Sequence, residues 1–81
     1  MYSSLSEETK RLFLERREVM TWGSYGKNGR EQRRDIPIKD LSDLHISNIL
    51  ETQFHIIGTP VELMLICEVE YRKTKGIIVK D

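Results

Sequence analysis

Asp35–Leu50, DIPIKDLSDLHISNIL, carries an extended segment into a helix, and this junction decides how the chain folds. Pro37 has no amide hydrogen and biases Ile36 away from helix. Ile36 and Ile38 are two residues apart and face the same way in an extended chain. They suit either a short edge strand or a strap across a helical core. Asp40 and Ser42 both suit an N-cap, and Asp43 places negative charge near a helix start. From about Leu41 to Gln53 the pattern is helical. Ile46, Ile49 and Leu50 share a side, and Leu41 or Leu44 extends it. His45 reads first as a packing or capping residue, with binding or chemistry as the alternative.

On the N-terminal side, Ser4-Leu5-Ser6-Glu7 fits a capping box with Ser4 as cap and Ser6 as competitor. Leu5, Leu12 and Val19 recur every seven residues in the helix that follows, with Phe13 and Met20 widening the stripe. Lys10, Arg11, Glu15, Arg17 and Glu18 read as its wet face. On the C-terminal side, Thr59-Pro60-Val61-Glu62 is the sharpest start signal: a cap, a first-turn proline and a box-closing glutamate. Lys75-Gly76 is the matching stop, and Arg72, Lys73 and Lys75 sit near the negative helix end. The expected fold is mainly α: a small three-helix domain with helices over about 5–20, 41–53 and 60–74. A Gly-rich basic loop spans 21–35, and a short β-hairpin or an extended strap completes it.

The last helix is unusually apolar, with Leu63, Met64, Leu65, Ile66 and Cys67 in succession. Val61, Leu65 and Val69 lie on one side, and Met64, Cys67 and Tyr71 widen it. Such a helix needs cover on more than one side, and a second copy of the chain could supply it. A homodimer is therefore expected. Cys67 reads as a small buried hydrophobe. Glu68–Tyr71 also alternates as a strand would, and Ile77-Ile78-Val79 suits a short strand or a strap.

Eighty-one residues bury a modest core. Hydrophobic residues make up 38% and charged residues 32%, a balance that argues against wholesale disorder. No apolar run is long enough to span a membrane, and the acidic start MYSSLSEETK does not read as a signal peptide. A lone Cys67 fits a reducing cytoplasm. Net charge is zero but uneven: residues 1–34 hold eight basic and five acidic side chains, leaving the remainder acidic. The chain is neither a strongly basic nucleic-acid binder nor an acidic nucleic-acid mimic.

Thr21–Arg34, TWGSYGKNGREQRR, is the most function-like stretch. Asn28-Gly29 is a turn signal, and the flanking pieces Met20–Tyr25 and Arg34–Ile38 could pair as a hairpin. Gly26-Lys27-Asn28 is not a phosphate loop, which needs Ser or Thr after the lysine. Trp22, Tyr25, Lys27, Arg30, Arg33 and Arg34 form a candidate partner-binding set. They suit a protein hot spot, or stacking on bases with cations on phosphates. Alternatively Trp22 closes the core and the charges solvate a loop. His45, His55 and Cys67 match no zinc spacing, so no metal, cofactor or catalytic residue is expected, and the chain reads as a non-enzyme.

The order Trp22, Asn28-Gly29, Ile36-Pro37-Ile38, Asp40-Leu41, His45 and Asn48-Ile49-Leu50 resembles a group of small accessory proteins of tailed bacteriophages. The resemblance covers roughly Trp22–Leu50, and more loosely Glu68–Arg72. It carries no established activity. It implies a protein that works in the host cytoplasm and binds, inhibits or redirects a host protein, a defence protein among the candidates. A nucleotide or nucleic-acid binder and a self-assembling structural adaptor are the competing readings.

Overall fold

Ser42, not Asp40, caps the central helix: its hydroxyl accepts from the His45 amide at 3.0 Å. Asp40 instead closes a 3₁₀ turn, Ile38–Asp40, that joins the extended segment to that helix. The computed structural model describes residues 2–26 and 29–81. Lys27 and Asn28, which carry a candidate binding cation and a turn signal, lie outside the described residues.

The described residues form a mainly α three-helix arrangement with a two-stranded antiparallel hairpin. A 3₁₀ turn at Tyr2–Ser4 leads into α1 (Glu7–Val19), then β1 (Thr21–Ser24) and β2 (Arg34–Pro37). The turn at Ile38–Asp40 leads into α2 (Asp43–Thr52). A further 3₁₀ turn, Phe54–Ile56, precedes α3 (Pro60–Lys75). Ser6 rather than Ser4 caps α1, accepting from the Thr9 amide at 3.2 Å. Thr59 caps α3 with Pro60 in the first turn, and Gly76 ends it in the left-handed region at φ 70°. There a side chain would be strained and glycine is not.

Two apolar clusters flank α3. Leu65, with Val61 and Val69 beside it, faces Ile38, Leu41, Ile46, Ile49 and Ile56. Met64 and Cys67 face Phe13 of α1 and Tyr2 of the N-terminal turn. The rings of Tyr2, Phe13 and Tyr71 meet pairwise at 5.2–5.6 Å in tilted or edge-on contacts. Leu41 extends the α2 stripe, whereas Leu44 stands 59% exposed.

The heptad stripe expected on α1 is not its buried face. Leu12 and Val19 are exposed, while Phe13 is buried and Met20 packs against both clusters. The inward line is Lys10, Phe13, Arg17 and Met20, at helical spacing. Its two cations have partners: the Lys10 ammonium lies 5.3 Å from the Tyr2 ring centre, and Arg17 reaches across to α3.

Between the two apolar flanks α3 carries Glu68, fully buried, and Arg72, 3% exposed. Arg17 grips the Glu68 carboxylate with two bonds, Nε to Oε1 at 2.7 Å and Nη2 to Oε2 at 2.9 Å. Arg72 Nε donates to the same carboxylate at 2.7 Å. The rest of the Arg72 guanidinium donates to Asp43 Oδ1 at 2.8 Å and to the Ile38 and Lys39 carbonyls at 3.1 and 3.2 Å. Asp43 in turn accepts from the Val79 amide, and its own amide donates to the Val79 carbonyl at 2.9 Å. Residues 77–79 are thus a strap and not a strand. The hydrogen bond from Arg17 to Glu68, with the adjacent negative charge, holds the Arg17 guanidinium above its ordinary pKa.

Removing one member of such a buried pair strands the charge of the other, at a cost of about 3–5 kcal/mol. That is a large part of the roughly 5–15 kcal/mol that holds a small domain folded. Glu68→Ala is expected to lose about this much in urea unfolding. Lys39→Ala breaks only the exposed 3.7 Å contact to Glu18 and is expected to lose under about 1 kcal/mol. Equal losses in the two variants would refute the assignment.

Glu70 anchors the N-terminal turn. Its carboxylate accepts from the Ser3 hydroxyl at 2.7 Å and the Ser3 amide at 2.8 Å, and these bonds lower its pKa to about 2. A folded-state pKa below the ordinary 4.5 means full stabilisation above 4.5, lost as pH falls through about 2. The Ser3 amide resonance is expected to titrate with a midpoint near 2 and not to titrate in Glu70→Gln; a midpoint near 4.5 would contradict the clamp.

Candidate functional site

The hairpin is built by cross-strand pairing of Trp22 with Ile36, Gly23 with Asp35 and Ser24 with Arg34. Residues directly opposite share a face, so Trp22 and Ile36 stand together. That face packs on the main cluster, and both residues are half-buried. The Ile38 amide, donating to the Met20 carbonyl at 2.9 Å, carries the pairing one step beyond the strands. Extended residues and a helical strap are therefore one continuous device: Ile36 belongs to the hairpin, and Ile38 to the core beneath it.

On the opposite face the Arg33 side chain lies across Gly23. A Cβ there would come 2.6 Å from Arg33 Nε, so only glycine leaves the guanidinium its place without a shift. Arg33 Nε also donates to Asp35 Oδ1 at 3.1 Å. Further along, the Glu31 amide donates to the Tyr25 carbonyl at 2.9 Å, and the Glu31 carboxylate sits where a Gly26 side chain would stand. The basic loop thus carries two of its own acids among its cations. Tyr25 is 50% exposed, and Arg30 and Arg34 are exposed beside it in the loop and at the start of β2. Lys27 lies outside the described residues.

Of the expected set, then, Trp22 is shared between core and surface, Arg33 is folded down onto the hairpin, and Tyr25, Arg30 and Arg34 face outward. A second contributor was not in that set. The Trp22 ring stacks on His55, with centroids 6.5 Å apart and planes 25° from parallel. His55 belongs to the Phe54–Ile56 turn, in which Ile56 is buried and Phe54 is 71% exposed; Ile57, just after the turn, is 63% exposed. The Ile57 amide donates to the Phe54 carbonyl at 3.2 Å, and residues three apart in a 3₁₀ turn lie one above the other. Two exposed apolar side chains therefore lie within two residues of the His55 ring that meets Trp22. The run FHII carries the signal, but a four-residue apolar connector reads equally well as buried filler.

The remaining reactive side chains have structural places. His45 enters the α2 cap through its backbone amide, a bond that is independent of its imidazole. Cys67 is buried against Phe13 and Tyr2, and burial pushes its thiol pKa up, away from the reactive thiolate. Among the described residues no group of three or more His, Cys, Asp or Glu is placed to hold a metal ion. No helix among them is long and apolar enough to cross a membrane. Comparison with known families, curated proteins and solved structures gives no match.

Proposed function

We propose that this chain is a non-enzymatic binding protein that docks a host protein in the bacterial cytoplasm and blocks or redirects it, working as a homodimer. The contact centres on the Trp22–His55 stack with Phe54 and Ile57, and the exposed Tyr25, Arg30 and Arg34 form its rim. The observation that carries this reading is the exposure of Phe54 and Ile57 within two residues of His55, whose ring stacks on the half-buried Trp22. Large apolar side chains grouped at a surface mark interaction sites, and Trp, Tyr and Arg are the residues that dominate them. The likeness to small phage proteins supplies the host as the source of the partner.

Phosphate binding is the weaker reading, because Arg33 is held by Asp35 and Glu31 lies over Gly26 in the same loop. Those carboxylates oppose a polyanion and tolerate a protein of mixed charge. A phosphate-led complex would also lose affinity steeply with salt, by about 10³-fold or more between 50 and 200 mM when six or more phosphates are held.

Affinity capture from nuclease-treated bacterial lysate, at low and raised salt, tests the reading. The wild-type chain is expected to retain one protein under both conditions. Phe54→Ser/Ile57→Ser is expected to lose it about a thousandfold while keeping its fold, since two hot-spot side chains are worth about 2 kcal/mol or more each. Arg30→Ala/Arg34→Ala should weaken capture less. Capture that disappears with nuclease, or that ignores the Phe54 and Ile57 changes, would overturn the assignment.

A further inference from the structure

Helix α3 is covered by α1 on one side and by α2 on another, and its outer face is left partly apolar. Leu63 is 52% exposed and Ile66 half-buried. A groove runs beside this face between α2 and α3. Its wider end, about 440 Å³, lies under the C-terminal strap, and its narrower end, about 260 Å³, lies between Leu50 and Ile66. Both ends share Leu50, Val69 and Lys73 as walls.

The order of residues along this face is self-complementary. Along α3 it runs Ile66, Glu70, Lys73, at helical spacing of four and three, and half-buried Ile77 follows in the strap just past the Gly76 stop. The pattern is symmetric about the point between Glu70 and Lys73, except that the two charges have opposite sign. Two antiparallel helices related by a two-fold axis through that point set Glu70 against Lys73 twice over, and turn Ile66 of each copy toward the strap end of the other's groove, which Ile77 lines. An isologous interface requires that a patch complement itself, and this one does so in both shape of pattern and charge.

Resting on the homodimer reading above, we infer that the second copy docks on this face. The α3 helices pair antiparallel across the Glu70–Lys73 midpoint, and Leu50 of each α2 flanks the contact. The occupant of the groove is thus another copy of the same chain. The contact is separate from the hairpin surface, so each copy keeps its Trp22 and Phe54 available. Glu70 already accepts from Ser3 in its own chain. It is placed to serve both the N-terminal turn and the facing Lys73, since a carboxylate has acceptor sites for more than two donors.

Sedimentation equilibrium of the full chain tests the register by exchanging charge. E70K alone and K73E alone each set like charges together at both pairs, and each is expected to weaken dimerisation by about tenfold or more. Mixing the two variants is expected to restore a heterodimer, because one copy then carries cations at both positions and the other anions at both. Ser3→Ala, which removes only the hydroxyl bond to Glu70 and leaves the Ser3 amide bond and the carboxylate charge in place, should remain dimeric, and thermal melts of K73E should match wild type at dilutions where both are monomeric. A wild-type chain that stays monomeric to millimolar concentration overturns the dimer itself. A wild-type dimer indifferent to both single variants, or variants that weaken but do not rescue each other, overturns this surface and leaves the dimer standing.

Discussion

One carboxylate holds the three helices in register. Glu68 is out of contact with water and is gripped by two guanidinium groups, Arg17 from α1 and Arg72 from its own helix. Desolvating three charges is costly, and the cost is offset only when every donor and acceptor is matched. Here the matching is complete: among the described residues no buried side-chain nitrogen or oxygen lacks a partner. The consequence is directional. Apolar clusters on the two flanks of α3 would tolerate some sliding, but a bidentate pair does not. Through Arg72 the same network also fixes the Ile38–Asp40 turn, the start of α2 and, by way of Asp43, the C-terminal strap.

That arrangement explains how so small a chain holds the hairpin of the proposed site in place. The hairpin has only four residues in each strand, and a two-stranded sheet is marginal by itself. It is held because Trp22 and Ile36 lie on the main cluster and because Ile38, immediately after β2, is fully buried. The Arg72 bond to the Ile38 carbonyl adds a polar tie at the same point. The rigid base leaves the loop side chains free to be polar and charged, while Phe54 and Ile57 face water on either side of the His55 turn that meets the tryptophan.

Much of this was legible in the sequence, and what was not has a physical reason. The α3 boundaries were legible because Thr59, Pro60 and Gly76 each act through local geometry. The hairpin was legible as one of two options, and the pairing of Trp22 with Ile36 selects it. The buried face of α1 was misread because apolar type was taken as the sign of burial. Arg17 and Lys10 are inside by virtue of Glu68 and Tyr2, partners 51 residues ahead and eight residues behind in the chain. Arg72 likewise looked like a helix-end cation, and only its four acceptors reveal it as an interior residue. In the candidate site Trp22, Tyr25 and the arginines were visible as residue types, whereas His55, Phe54 and Ile57 joined them only through the fold. Ser6 displaced Ser4, and Ser42 displaced Asp40, at sites where two capping residues stand two apart; the sequence had no means to choose between them.

Hydrogen exchange at the Arg72 Nε–H, followed by NMR as urea is raised, tests the central claim most directly. If the Glu68 carboxylate is the hub, this proton exchanges only when the whole molecule unfolds, with the same urea dependence as the amide of the fully buried Leu65. Exchange as fast as that of a solvent-exposed arginine in the absence of urea would show that the hub is open and that apolar packing alone orders the helices.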